Sequence, residues 1–425
     1  MLMYAGIVLG VLFCSFWVAQ LIFVYLHLKW TNIIIESDER DKNVPVSVIH
    51  PVKDLDFEFE KNVESWMNQN YRGKVQHIFS FQESDDPAIE VVEKIKERYP
   101  DKDIEIIINP VTEGLSGKSS NMVHGLKLAK YDIILFGDSD IRIKPDFIVK
   151  MARPLLDEKV GITTCGQINT GGRDFWTRFF TFVQNSETDF MWALFTKLGL
   201  DVGATGAAFG MRKKLIEDIG GLEAYGTSIL EDLHLGNTLY KMDYKLVLGP
   251  FLECHVNKIP MEKSFNYAKR IAVGIKTHIA LDLPAFVAML FWYWALFIIA
   301  IFTRNLELLS LTTFYMLFRT VHGLIQRVIV KDKVLPVDIL IPLLFDLFGT
   351  FFLLYSFNMP YITWRGVKYK VKKGGFIEDV SASSEIALAD EEVLHVNEDG
   401  INIAEEAQNS RDSILKNVEN HNKQD

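Results

Sequence analysis

Two acidic residues follow a short apolar run. Residues 133–136 are Ile, Ile, Leu and Phe, Gly137 comes next, and Asp138 and Asp140 then stand one residue apart. Side chains alternate along an extended backbone, so both carboxylates should project from the same side of a strand end. Two such carboxylates beside an apolar core are costly unless a cation lies between them. The spacing therefore predicts a divalent metal that holds a phosphate group.

The segments ahead of these acids predict the sheet that would position them. Strand and helix patterns alternate there, which favours an α/β domain with a mostly parallel sheet and ligands at the carboxyl ends of its strands. A polar loop follows each predicted strand, so the loops should meet at one edge. The predicted strands lie near residues 46–49, 75–81 and 104–108, and the predicted helices near 59–68, 88–98 and 119–129.

Lys118 and Asn121 are candidate nucleotide contacts at the start of one of these helices. The Gly-Lys-Ser of residues 117–119 resembles part of a P-loop, but the full pattern needs glycine where the chain has Thr112. Lys118 is still a candidate phosphate ligand, because a cation and exposed backbone amides coincide at a helix start. A solvated surface lysine is the plain alternative. Asp86 could likewise be only a helix-start residue.

An acidic pair, Glu231 and Asp232, begins a later helical pattern. Taken alone, the pair could merely favour the helix dipole. The small residues at 203–208 would let the backbone approach a ligand closely, and tight packing is the equally plain alternative.

Apolar residues are concentrated in two places that could cross a membrane. Residues 3–26 are almost uncharged and long enough for a hydrocarbon core of about 30 Å. We favour a retained anchor there, because the chain shows no basic start or small-residue cleavage site of a signal peptide. A second block carries three apolar segments, and the third contains Asp338, Pro342 and Asp346. This third segment could be a crossing helix or a re-entrant hairpin, and the distribution of positive charge favours no crossing.

Charge and cysteine content exclude some classes of protein. The net charge of −10 and the lack of a basic stripe argue against a nucleic-acid partner. Cys14, Cys165 and Cys254 have no metal or redox spacing, which indicates a reduced compartment without a disulfide framework. The polar, acidic composition from residue 381 onward predicts a disordered or weakly helical tail.

In combination, these motifs resemble one family. The chain is similar to the ceramide glucosyltransferase family, which belongs to the family-2-like, GT-A-fold inverting glycosyltransferases. The matching segments are 82–90 (QESDDPAIE), 129–145 (AKYDIILFGDSDIRIKP), 211–213 (MRK), 220–222 (GGL), 230–232 (LED) and, beyond the membrane block, 364–370 (WRGVKYK).

The resemblance implies an enzyme with a GT-A catalytic domain flanked by transmembrane helices. Such an enzyme moves a sugar from a nucleotide-diphosphate donor, UDP-glucose or similar, to the hydroxyl of a lipid such as ceramide, with inversion. Asp86 and Asp138 match acidic positions around the nucleotide, Asp140 would coordinate Mg²⁺ or Mn²⁺, and Asp232 matches the general base. Another lipid acceptor (a hopanoid or diacylglycerol), a polysaccharide synthase and a non-catalytic membrane protein that retains the fold are the alternatives.

One family element is altered. The family usually carries Arg/Gln-x-x-Arg-Trp before the membrane block. Arg270 could occupy its first position and contact the donor, but Val273 and Gly274 then replace the arginine and tryptophan. Lys276 or His278 could supply the missing positive charge.

The predicted organisation has five parts. We expect the catalytic domain to face the cytosol, because the donor is available there and the flanking charge agrees, and we favour a bacterial cytoplasmic membrane over the Golgi. The parts are an N-terminal transmembrane anchor (1–30), the GT-A domain (43–282), C-terminal membrane segments (283–360), a basic juxtamembrane segment (361–380) and the acidic tail (381–425).

Overall fold

The computed structural model of the chain describes residues 1–112, 116–199, 203–228, 230–278, 282–357, 361–364, 367–372 and 376–379. They fall into two compact units: the described residues up to 357 together with 371, 372, 376 and 377, and residues 361–364 and 367–370 together with 378–379. The predicted acidic tail at 381–425 lies outside the described residues, and the predicted domain boundaries stay predictions.

The strands of the larger unit confirm the predicted α/β class. Its two sheets are built from β1 (Val46–Pro51), β2 (Val75–Phe81), β3 (Asp103–Ile108), β4 (Ile133–Gly137), β5 (Ile141–Arg142), β6 (Val160–Thr164), β7 (Gln167–Gly171), β8 (Ala208–Arg212), β9 (Lys245–Leu248) and β10 (Leu252–Val256). Among the described residues, one sheet has seven strands in the order β3-β2-β1-β4-β8-β6-β9 and the other has the order β5-β10-β7. In the larger sheet β8 runs antiparallel to β4 and β6, and every other pairing is parallel.

Helices cover both faces of the larger sheet and form the apolar part of the unit. Their bounds are α1 (Leu2–Thr31), α2 (Phe59–Met67), α3 (Pro87–Arg98), α4 (Gly117–Leu128), α5 (Phe147–Ala152), α6 (Phe175–Phe182), α7 (Phe190–Leu198), α8 (Lys213–Asp218), α9 (Glu231–Lys241), α10 (Met261–His278), α11 (Asp282–Thr303), α12 (Leu306–Ile329), α13 (Ile341–Leu344) and α14 (Thr350–Phe357). A π-helical segment, Val183–Asp189, joins α6 to α7.

Alternation along β4 divides the core into two layers. Leu135 belongs to the cluster that also holds Trp66 and Phe147, whereas Ile134 and Phe136 belong to the cluster on the other face. Both faces are buried, so a continuous apolar run rather than an alternating one is what this central strand requires. The same run places the end of β4, and the acids after it, at the edge of the core.

Two helices of the described residues are long and apolar enough to cross a membrane, Leu2–Thr31 and Leu306–Ile329, by length and composition alone. They pack against each other closely: a Cβ added to Gly10 would lie 1.7 Å from the Tyr315 hydroxyl oxygen. Glycine is therefore needed at this crossing of α1 and α12. α11 packs beside them through Leu296.

The third apolar segment is broken into short pieces. A 3₁₀ turn at Pro336–Ile339, α13, a π-helical segment at Phe345–Gly349 and α14 follow one another. Its acids face protein: Asp338 Oδ2 lies 2.6 Å from Arg178 Nη2, and Asp346 Oδ2 lies 2.8 Å from Arg319 Nε. Whether this segment crosses a bilayer stays a prediction.

The smaller unit contains an antiparallel strand pair. β11 (Tyr361–Trp364) pairs with β12 (Val367–Val371), with Tyr361 opposite Lys370. The ammonium of Lys368 lies 5.0 Å from the centre of the Tyr361 ring, which is a cation–π contact. A further short strand, β13, spans Ile377–Asp379.

Candidate active site

The predicted acid pair lies in a turn at the end of β4. The strand ends at Gly137, and the Asp138 amide donates to the Ala207 carbonyl oxygen at 2.9 Å, which fixes the start of the turn against β8. The prediction of an extended segment carrying both acids is therefore wrong in its local geometry. Both carboxylates nevertheless affect the same thiol. Burial raises the pKa of Cys254 most, and the charges of Asp140 and Asp138 raise it further.

Lys118 connects the acid turn to the start of α4. Its Nζ lies 2.7 Å from Asp138 Oδ1 and 2.7 Å from the Gly206 carbonyl oxygen. Ser116 caps the helix, since its Oγ accepts from the Ser119 amide at 3.2 Å. The side chain of Lys118 is only 19% exposed, so it is not a solvated surface lysine. Burial lowers the pKa of Lys118, but nearby carboxylates, Asp138 foremost, reverse this and hold the ammonium charged.

Asp232 lies near the same lysine. A Cβ added to Gly206 would lie 3.0 Å from Asp232 Oδ2 and 3.1 Å from Lys118 Nζ, so both charged groups border one small space. Asp232 lies in the first turn of α9, where its Oδ1 accepts from the Leu233 amide at 2.8 Å. Burial and the neighbouring Glu231 raise the pKa of Asp232 to about 7, against the opposing effect of Lys118. A carboxylate that titrates near neutrality is suited to general-base chemistry.

Arg270 also lies close to this group. It is on α10, its charge lowers the pKa of Asp232, and its guanidinium lies 5.3 Å from the centre of the Tyr267 ring. The structure thus brings Arg270 to the site although the rest of its predicted element is altered. The side chains of Lys276 and His278 lie outside the described part of the structure.

Asp86 and Asn121 hold the loops of the site. Both oxygens of Asp86 accept backbone amides at 2.9 Å, one from Ala88 at the start of α3 and one from Asp54. This makes Asp86 a helix cap, as its alternative interpretation predicted. Asn121 is buried, and its Nδ2 donates to the Val52 carbonyl oxygen at 3.1 Å. Nucleotide contact by either side chain stays a prediction.

With this geometry established, similarity to known proteins decides the family. The sequence matches the model described as glycosyl transferase family 21 over residues 12–377, which is most of the chain. The chain belongs to glycosyl transferase family 21. The mostly parallel sheet of the family 21 protein, with β8 reversed, is the GT-A fold that the resemblance implied.

Curated relatives of the family 21 protein carry ceramide glucosyltransferase names. It is 28% identical to ceramide glucosyltransferase 3 of Caenorhabditis elegans over 213 residues, which are 50% of this chain and 46% of that one. It is 33% identical to the ceramide glucosyltransferase of Candida albicans over 117 residues, 25% of this chain and 22% of the relative. The aligned region thus spans less than half of each relative.

Solved structures are similar at lower identity. A mannosyltransferase from Pyrobaculum calidifontis, in complex with GDP-Man and Mn²⁺, is 16% identical with a TM-score of 0.43, over 82% of this chain and 96% of that one. A glucosyl-3-phosphoglycerate synthase from Mycobacterium tuberculosis, in complex with Mg²⁺ and UDP, is 16% identical with a TM-score of 0.35, over 55% of this chain and 79% of that one.

The acids of the family 21 protein fit a metal that arrives with a phosphate. In the ranges the structure describes, no group of three or more His, Cys, Asp or Glu side chains is arranged to hold a cation alone. Mg²⁺ is commonly bound by one or two carboxylates, with substrate phosphates and water completing its shell. Asp140 with Asp138 nearby fits that donor set.

Two residues of the site were not identified from the sequence. Asp56 Oδ2 accepts a hydrogen bond from Ser139 Oγ at 2.5 Å, which holds the loop after β1 on the acid turn. Cys254 lies opposite Ile141 in the β10–β5 pair. The sequence offered a weak signal for Asp56, which lies two residues after the polar Lys53-Asp54, and none for Cys254, whose place depends on strand pairing.

Proposed function

We propose that the family 21 protein is a membrane-bound inverting glycosyltransferase. It would transfer a sugar from a nucleotide-diphosphate donor, UDP-glucose or a similar sugar nucleotide, to the hydroxyl of a lipid such as ceramide. The observation that carries the proposal is that Lys118 pairs with Asp138 and borders the same small space at Gly206 as Asp232. The ceramide glucosyltransferase names of the relatives support the lipid acceptor.

In this proposal the two acids that flank Lys118 have different tasks. Asp138 lies in the acid turn with Asp140, on the side where a diphosphate would bind. Asp232 lies near the lysine, and burial together with Glu231 raises its pKa to about 7, so it can take a proton from an acceptor hydroxyl. The acceptor oxygen forms its bond to the anomeric carbon as the bond to the diphosphate breaks on the opposite face. This single displacement needs no enzyme nucleophile.

Asp140 and Asp138 would hold Mg²⁺ or Mn²⁺. The ion would supply positive charge that neutralises the diphosphate leaving group. Lys118 would add a fixed positive charge between the donor and the base, where its ammonium is already held by Asp138 and the Gly206 carbonyl. Arg270 would contribute from the side of α10, since its charge acts on Asp232.

We further propose that the apolar helices bring the acceptor to this site. α1 and α12 have the length and composition of membrane spans, and a lipid hydroxyl could then be reached at the bilayer surface. The cytosolic orientation of the catalytic domain and the bacterial cytoplasmic membrane stay predictions.

The decisive experiment identifies the product. The full chain, purified in detergent, is incubated with a panel of labelled UDP-sugars, Mg²⁺ or Mn²⁺, and ceramide, diacylglycerol or hopanoid acceptors. We expect a glycolipid, identified by mass, whose anomeric configuration is opposite to that of the donor. A retained configuration would refute the inverting mechanism, and no product from any pair would favour the non-catalytic alternative.

Asp232→Asn tests the general base directly. We expect this variant to lose transfer and to keep UDP binding, because the amide is nearly isosteric but cannot accept the proton. Asp243→Asn is the matched control: Asp243 is exposed just beyond α9 at φ 64°, a conformation that asparagine tolerates. Loss of UDP binding in Asp232→Asn would reassign Asp232 to the donor.

A further inference from the structure

The chain returns to the catalytic site after its apolar segments. We call Phe376 and Ile377, at the start of β13, the return strand; both residues belong to the larger unit. The Ile377 amide donates to the Thr227 carbonyl oxygen at 2.7 Å, and Phe376 forms an antiparallel bridge with Ser228. The Phe376 ring also meets the His234 ring edge-on, with 5.7 Å between their centres.

The loop at 225–228 that receives this strand supports the starts of two helices. The Ser116 amide at the cap of α4 donates to the Gly226 carbonyl oxygen at 3.0 Å, and α4 carries Lys118. At the other end of the loop, Ser228 Oγ accepts from the Leu230 amide at 3.1 Å, directly before α9. One short loop therefore connects the helix that carries Lys118 with the helix that carries Asp232.

The start of α9 needs such support. Its first turn has no side-chain cap from Leu230, and Asp232 uses one of its own carboxylate oxygens on the Leu233 amide. Uncapped helix ends fray more readily, because their first amides lack fixed partners. The rigidity of Asp232 must then come from the preceding loop and from contacts on the helix, such as that of His234 with Phe376.

We propose that the return strand is a positioning element for Asp232, and that Phe376 acts through His234 and the loop at 225–228. The inference rests on the proposed function, because it concerns the base of that reaction. A reacting group must be held to within about 0.5 Å, and a displacement of about 1 Å can cost about 100-fold in rate. Phe376 is 43% exposed, so its ring is not a core residue and its removal should leave the fold intact.

The test compares three variants of the full chain in detergent. We expect Phe376→Ala to lower kcat about tenfold or more, with the KM for the donor and the affinity for UDP within about twofold of wild type. Phe376→Tyr keeps the aromatic ring, so its kcat should be close to that of wild type. Tyr240→Ala is the matched control, since Tyr240 is an exposed aromatic residue (52%) on α9, the helix that carries Asp232 and His234. This control should behave as wild type. A Phe376→Ala enzyme with wild-type kcat would overturn the inference.

A double-mutant cycle tests the route through His234. If Phe376 acts through that ring, the loss in Phe376→Ala/His234→Ala should equal the larger single loss rather than the product of both. If the two single losses in kcat multiply in the double variant, Phe376 does not act through His234. Should Phe376→Ala unfold at a lower temperature, Phe376→Leu, which keeps apolar volume without the ring, takes its place with the same criteria. A wild-type chain without transfer is a separate result, which refutes the proposed function itself.

Discussion

Removing the charge of Lys118 should move the pH dependence of transfer toward alkaline pH. The geometry around Gly206 places Lys118 Nζ and Asp232 Oδ2 no more than about 6 Å apart. At that distance and an effective dielectric constant of about 20, the attraction is about 3 kcal/mol, or about two pKa units. The positive charge stabilises the carboxylate, so Lys118→Met should raise the pKa of Asp232 from about 7 to about 9.

The assay is kcat/KM for the acceptor between pH 6 and pH 10, which reports the free enzyme's base. A general base must be deprotonated, so the wild-type rate should fall as pH decreases through about 7. In Lys118→Met the fall should occur near pH 9, and at pH 7 the rate should be about 50-fold lower, because about 1% rather than half of the base is ionised. Lys96→Met, at an exposed lysine on α3, is the control. An acid limb that stays near pH 7 in Lys118→Met would refute the coupling.

Three further changes have defined outcomes. Gly206→Ala should lower kcat about tenfold while the unfolding temperature holds, because the added Cβ would displace Asp232 and the lysine beside it; an unchanged kcat would contradict the close contact. A chelator should abolish transfer and Mg²⁺ or Mn²⁺ should restore it, and Asp140→Asn should raise the metal concentration needed by about tenfold or more. Activity indifferent to chelator would remove the metal role. Asp338→Asn should lower the free energy of unfolding by about 1–3 kcal/mol, because it removes one of the two carboxylates that pair with the buried Arg178 and leaves Asp332, and a melting curve like that of wild type would show the pair to be dispensable.

The fold was predictable because a few strands carry strong local signals. All six residues of β1 and all five of β4 are buried, and their apolar runs stand out in the sequence. The position of the acids at the end of β4 followed from the same run. Their conformation did not, because the strand ends at Gly137, where the Trp66 ring occupies the space in which a Cβ would lie.

The contacts within the site were much less predictable. Lys118 and the Gly206 carbonyl are 88 residues apart in sequence, and only the reversed strand β8 and its preceding loop bring them together. The same limit applies to the membrane block. Acids at membrane depth are expected to face protein or water, but one partner of Asp338 is Arg178, 160 residues earlier, and periodicity carries no information on such a pairing. Local sequence patterns determine the helices and strands, whereas the contact partners of a side chain depend on the topology of the fold.

Charge balance in the site connects the proposed metal to the proposed base. Burial strengthens the interactions among these charges, since charges attract and repel more strongly away from water. A diphosphate adds further negative charge to a site that already has an excess of acids, so we expect the free donor to bind weakly until a divalent cation accompanies it. Burial is the main reason that the pKa of Asp232 is raised to about 7, the neighbouring Glu231 adds to it, and Lys118 only partly offsets them. The acids include Asp56, Asp138, Asp140, Glu231 and Asp232, and Lys118 and Arg270 are described cations that act on this group.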